Sequence, residues 1–154
     1  MTESADQRYE FMSAAWVKAL RRRYQEIIAG KKLDFDLVYA LEYTEPPKHL
    51  LRDDGRNCVG YTLLARNGNL EVLDGAFTSV ADCVFSAAYH PLGKTYHMPV
   101  DEFKKWWAEN EARLTAEGNF SYRGDRSVVQ NLLRLFPNNI YADLYNKVTA
   151  PPAK

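Results

Sequence analysis

Three histidines, His49, His90 and His97, are the side chains best suited to move protons near neutral pH in this chain. Two of them flank a segment crowded with phenols and prolines, Tyr89-His90-Pro91-Leu92-Gly93 followed by Thr95-Tyr96-His97-Met98-Pro99. The pattern nominates His90 and His97 as general acid or base, with Tyr89, Tyr96 and Asp101 near in sequence to supply or hold a proton. A solvated or structural loop histidine fits the same residues, and no catalytic constellation stands out. Three histidines can surround a metal, but neither the His90–His97 spacing nor His49 behind Pro46-Pro47-Lys48 matches a ligand motif, so no metal is expected. Cys58 and Cys83 lie 25 positions apart, which is neither a metal pair nor a redox motif. They read as reduced, buried thiols, since a free cysteine behaves as a small hydrophobe.

Two further motifs have a chemical and a plain reading. Gly124-Asp125-x-Ser127 precedes a predicted helix and could offer backbone N–H groups to a phosphate. The plain reading is that Asp125 satisfies those groups itself as an N-cap. Trp106-Trp107 could form an aromatic platform, but neighbours on a helix point about 100° apart and cannot make one surface. They read as core beside Phe103, with one indole free to line a chamber. There is no nucleophile elbow, dinucleotide-binding glycine turn or zinc pattern, and no cofactor is expected.

At 154 residues the chain has the size of one domain with a real core. Twenty basic and twenty acidic residues cancel, and the pI of about 6.8 argues against a dedicated nucleic-acid binder. No stretch approaches the ~20 apolar residues that cross a bilayer. Residues 1–10 are polar and read as a disordered tail rather than a secretory signal, residues 150–154 as a second tail, and the cytoplasm is the expected location.

The elements that must position these groups follow from periodicity. Phe11 to Ala29 reads as a helix ended by Gly30, with Val17, Leu20, Tyr24, Ile27 and Ile28 on one stripe. Its opposite face carries Lys18, Arg21, Arg22 and Arg23, a solvated face that could also touch an anionic membrane or an acidic partner. Leu37, Tyr39, Leu41 and Tyr43 alternate in a strand that Pro46-Pro47 ends, and Val59, Tyr61, Leu63 and Ala65 alternate in the next. Asn67-Gly68 is a hairpin signal, and Leu70 to Leu73 returns antiparallel. Three strands in succession predict an antiparallel meander with helices on one face. Ala81 to Phe85 is a fourth strand, Val100 to Leu114 a helix, Asn119 to Arg123 a fifth strand, Ser127 to Phe136 a helix and Asn139 to Val148 another. The helix containing Val128 to Phe136 has more apolar surface than one packing face needs, which suggests an apolar chamber.

This succession resembles the sterol-carrier-protein family, the type-two or non-specific lipid-transfer fold. The carriers of the resemblance are Asn67-Gly68-Asn69-Leu70-Glu71-Val72, Ala81-Asp82-Cys83-Val84, Asp101-Glu102-Phe103, Gly118-Asn119-Phe120, Tyr122-Arg123-Gly124-Asp125 and Val128-Val129 to Leu132-Leu133. The resemblance covers about Phe11 to Val148, nearly the whole chain, and implies one domain over residues 11–149. It implies an α+β domain, an antiparallel-rich five-stranded sheet covered by helices, with a hydrophobic tunnel between the layers. It implies ligands such as sterols, fatty acids, acyl-CoA or apolar catabolic intermediates, and no metal. One departure stands out: residues 86–99 intervene between the fourth strand and the Asp-Phe helix, an extra loop rich in Tyr and His beside the expected tunnel entrance.

The expected lining comes first from the sheet, with Tyr39, Tyr61, Val84 and Phe120. Tyr89 of the extra segment and Trp106 of the following helix join it. Val129, Leu132, Leu133 and Phe136, then Tyr141 and Tyr145, supply the C-terminal side. Any of these could instead be plain core. Three functions compete: a carrier of an apolar small molecule, a cofactor-independent lyase, isomerase or hydrolase using His90 and His97 in the same chamber, and an interaction module using Arg21 to Arg23.

Overall fold

The computed structural model describes residues 7–53, 55–134 and 142–151. Helix α1 (Ala14–Ile28) begins three residues later than its apolar stripe suggested, because Met12 takes a left-handed backbone (φ 67°) and Ser13 caps the helix by accepting from Trp16 N at 3.1 Å. Its buried stripe is Trp16, Val17, Ala19, Leu20 and Tyr24. On the other side Arg21 Nε donates to Val72 O (3.0 Å) and Arg23 pairs with Glu26 (3.4 Å), which ties part of the basic face to this chain's own groups.

The sheet contains β1 (Leu37–Thr44), β2 (Cys58–Arg66), β3 (Asn69–Asp74), β4 (Cys83–Ala88) and β5 (Phe120–Gly124), in the order β3-β2-β1-β4-β5. The meander β1-β2-β3 is antiparallel as expected, and Asn67 and Gly68 both take positive φ in the β2–β3 turn. The β1–β2 connection is longer. Arg52 pins it by bonding Leu50 O (2.6 Å), Met12 O (3.0 Å) and the Asp74 carboxylate. β4 returns parallel to β1, and β5 is antiparallel to β4.

Register fixes which side chains face the helices. Tyr39 pairs with Leu63 and Cys83, and Leu41 with Tyr61 and Phe85, so the odd-numbered residues of β1 and their partners form the inner face. Ala40 and Val84 pair on the outer face, where Ala76 from the β3–β4 strap covers them. This corrects the expectation that Val84 faces inward. β4 carries small or apolar residues on both faces because the strap buries its outer side, so alternation there is no guide to direction.

Residues 86–99 differ from the expected loop. Ser86 to Ala88 extend β4, Tyr89–Leu92 form a short helical turn α2, and Tyr89, Leu92, Thr95 and Tyr96 are buried. Burying two phenols here adds apolar area while each hydroxyl finds an acceptor or partner. Helix α3 (Val100–Ala116) follows, with Asp101 and Glu102 in its first turn, then β5, α4 (Val128–Leu133) and α5 (Ala142–Val148). Residues 135–141 lie outside the described residues. Tyr9 N donates to Val148 O (2.8 Å) and Ala150 N to Tyr9 O (2.7 Å), which fastens residues 9 and 150 to the domain.

Candidate functional site

The inner face has two halves of different character. Beneath α1 the interior is filled by rings: Trp16, Tyr24, Tyr39, Tyr43 and Tyr61 are all fully buried. Tyr43 and Tyr96 share a hydrogen bond of 2.9 Å, Tyr61 bonds Tyr145, and Trp16 Nε1 donates to Thr149 Oγ1 at 2.9 Å. Burial pushes the Tyr39, Tyr43 and Tyr145 hydroxyls well above the ordinary phenol pKa, and Tyr96 rises for the same reason. These phenols are neutral packing groups rather than proton carriers at neutral pH.

The second half lies between α3 and the β4–β5 edge of the sheet. Of the seventeen residues of α3 only Leu114 is fully buried. Phe103, Trp106 and Trp107 from α3 are half-buried, as are Phe85 from β4 and Phe120 and Tyr122 from β5. The rings form a continuous layer. Trp107 lies 5.3 Å from Phe120 and nearly parallel to Phe103 (6.5 Å, 10°), while Phe85 sits 5.1 Å from Tyr122. Tyr96 stacks on Phe103 at 6.0 Å and joins the layer to the filled half. Arg126 caps the Tyr122 ring at 4.0 Å.

The expected lining residues divide between these regions. Tyr39, Tyr61 and Tyr145 belong to the filled half. Trp106 and Phe120 belong to the half-buried layer. Val129 and Leu132 are buried in α4, and Leu133 is half-buried against the same core. Val84 faces the outer side, and Phe136 and Tyr141 lie outside the described residues. Phe85, Phe103, Trp107 and Tyr122 were missing from the expected lining. The signal for the strand pair was available, since Phe85 and Tyr122 occupy the same inward parity as Cys83 and Phe120.

The histidines lead elsewhere. A cleft of ≈ 580 Å³ opens beyond the ends of β1 and β4, lined by Glu10 and Phe11 before α1, Pro47 and His49 after β1, Tyr89, His90, Gly93 and Lys94 after β4, and Ala150 and Pro151 after α5. His49 Nε2 meets both Glu10 carboxylate oxygens at 2.8 and 2.9 Å. His90 stands edge-on to Tyr89 (5.0 Å, 74°), and its pKa is lowered by loss of solvent and by Lys94. The Tyr89 hydroxyl donates to Phe11 O at 3.1 Å, and burial raises it to about 12.

The proposed acid–base set is not assembled. Tyr96 lies in the core, Asp101 is exposed on α3, and neither these nor His97 lines the cleft that holds His90. His97 Nδ1 is buried without a hydrogen-bond partner among the described residues. Among those residues, too, no group of three or more His, Cys, Asp or Glu side chains could hold a metal ion. Asp125 Oδ1 accepts from Ser127 N (3.1 Å) and Ser127 Oγ (2.5 Å), the self-satisfying turn rather than an open anion site. Cys83 is buried and Cys58 half-buried, and burial pushes the Cys83 thiol up. No helix among the described residues is long and apolar enough to cross a membrane.

A five-stranded mixed sheet with α1, α3 and the C-terminal helices against one face is the sterol-carrier type of α+β fold, as the motif order implied. A crystal structure of sterol carrier protein 2 superimposes with a TM-score of 0.53, at 14% identity, over 91% of this chain and 100% of that one. The solution structure of a conserved hypothetical protein from Thermus thermophilus, described as a candidate sterol carrier protein, gives 0.52 at 17% identity over 99% of both chains. At these identities the likeness is one of fold. No protein-family model matches the chain, and no curated protein matches it in sequence.

Proposed function

We propose that the protein binds a hydrophobic small molecule, such as a sterol, a fatty or acyl chain or an apolar catabolic intermediate, against the ring layer between α3 and β4–β5, and carries it in the cytoplasm. The observation that supports this reading is the half-buried state of Phe85, Phe103, Trp106, Trp107, Phe120 and Tyr122, which come together from three elements, α3, β4 and β5. Rings placed to pack a core and left partly exposed together are the costliest surface to leave in water. A guest covering ~300 Å² of apolar surface gains about 7 kcal/mol at ~25 cal/mol/Å² before association costs. Micromolar affinity is the expected result after those costs. The described neighbours' names point the same way.

Native mass spectrometry of the purified protein and titration with a fluorescent fatty acid test the proposal. Trp16 is fully buried, so ligand-induced change in tryptophan emission should come from Trp106 and Trp107 and vanish in W106F/W107F. Absence of copurified lipid together with non-saturable uptake would reject it.

A further inference from the structure

The cleft beyond β1 and β4 stands apart from the ring layer, and none of its lining residues belongs to that layer. Its volume of ≈ 580 Å³ falls within the ~300–1,000 Å³ range of small-molecule sites. It opens where two adjacent parallel strands end, with the chain leaving β1 toward β2 on one side and β4 toward β5 on the other. Loops diverge at such a point and leave a crevice between them, the geometry known from open α/β sheets.

We propose that this cleft is a second binding site, taking a small organic monocarboxylate whose apolar body lies against Phe11 and Tyr89 and whose charge meets Lys94 and His90. The polar groups of the cleft divide into used and available. Glu10 and His49 are engaged with each other, and the Tyr89 hydroxyl is spent on Phe11 O. Lys94 has no ion-pair partner and His90 no hydrogen bond among the described residues. One ammonium and one neutral imidazole N–H match one carboxylate, one oxygen each. A phosphate dianion would leave a charge uncompensated in a cleft that also holds Glu10. The Phe11 ring lies 5.7 Å from Tyr89, so the apolar wall is continuous.

The test uses ¹⁵N-labelled full-length protein titrated with benzoate, benzyl alcohol and inorganic phosphate, read at the amides of Phe11, His49, Gly93 and Lys94. Benzoate should saturate those shifts, with benzyl alcohol about tenfold weaker and phosphate weaker still. Lys94 is exposed, so Lys94→Gln should fold normally; it should weaken benzoate about tenfold and leave benzyl alcohol unchanged. It should also leave fatty-acid uptake at the ring layer unchanged, so failure here and failure of the lipid-binding reading are separate results. Equal affinity for benzoate and benzyl alcohol, preference for phosphate, shifts confined to α3, an unaltered Lys94→Gln, or loss of fatty-acid uptake in that variant would each overturn the second site.

Discussion

Raising the pH should unfold this protein cooperatively, and the phenols of the filled half set where. Tyr39, Tyr43, Tyr96 and Tyr145 have pKa values pushed above 10 by burial, and Tyr89 is raised to about 12. A phenol whose folded-state pKa exceeds its unfolded value keeps a proton that the unfolded chain releases. Stability is therefore intact below about pH 10 and falls as pH rises through that value toward the folded pKa. Each pKa unit is worth about 1.4 kcal/mol. At pH ~11 the four most deeply buried phenols, Tyr39, Tyr43, Tyr96 and Tyr145, together remove about 6 kcal/mol, comparable to the ~5–15 kcal/mol stability of a small domain. The assay follows phenolate absorbance and far-ultraviolet circular dichroism on the same samples. Both should change in one step near pH ~11. Gradual titration of these tyrosines near pH ~10 with the fold intact would mean that water reaches them, and the filled half would not be filled.

Other substitutions probe the frame around the sites. Gly60→Ala would set a Cβ against the Leu41 carbonyl oxygen and 2.9 Å from Ala76 Cβ, between sheet and strap. Denaturant melts should show a loss of about 3 kcal/mol or more, and a silent variant would contradict the packing. Ser13→Ala deletes the cap on Trp16 N and should cost about 1 kcal/mol, read as a fall of about 2–4 °C in Tm. Tyr96→Phe strands the buried Tyr43 hydroxyl and should cost about 1–3 kcal/mol by the same melts. Tyr96→Ala, which also removes the ring, should cost more, about 3–5 kcal/mol. If the two Tyr96 variants were equally stable, the ring would not be packing as described.

The parts of the fold legible in the sequence are those where one face is buried and the other wet. Leu37, Tyr39, Leu41 and Tyr43 announce an inward face, and Asn67-Gly68 announces its hairpin, because both signals are local. The parallel pairing of β4 with β1 depends on a contact far along the chain: the Asp82 carboxylate accepts from Val38 N at 2.8 Å, and Val38 O accepts from Asp82 N at 2.7 Å. Nothing near Asp82 in sequence distinguishes that clamp from an ordinary surface aspartate. The direction of Val84 was hidden for a related reason, since the strap residue Ala76 buries the face that alternation would mark as outward. Residues 86–99 read as an extra loop beside a tunnel entrance because Tyr, His and Pro break the strand pattern there, and the burial of Tyr89 and Tyr96 depends on Phe11 and Tyr145 supplying a surface to cover. His49 and Glu10 are 39 positions apart, so their pairing, and with it the cleft, was equally invisible.

That segment also sets where the proposed guest would sit. Tyr96 lies 4.7 Å from Phe11, 4.8 Å from Tyr145 and 6.1 Å from Tyr43, and it reaches Phe103 on its far side. A ring in that position occupies interior volume that a smaller side chain would leave to a ligand, and it closes the space beneath α1 from the α3 side. Packing is dense enough that one ring decides whether a region is core or chamber. Under the lipid-binding proposal, the apolar surface offered to a ligand is then the face made by Phe103, Trp107, Phe120 and Phe85, so a guest would contact aromatic rings wherever it entered. The same fourteen-residue stretch sends Tyr89, His90 and Lys94 to a different place, the cleft at the strand ends. One piece of chain therefore fills the interior beneath α1 with Tyr96 and lines the exterior cleft with Tyr89, His90 and Lys94.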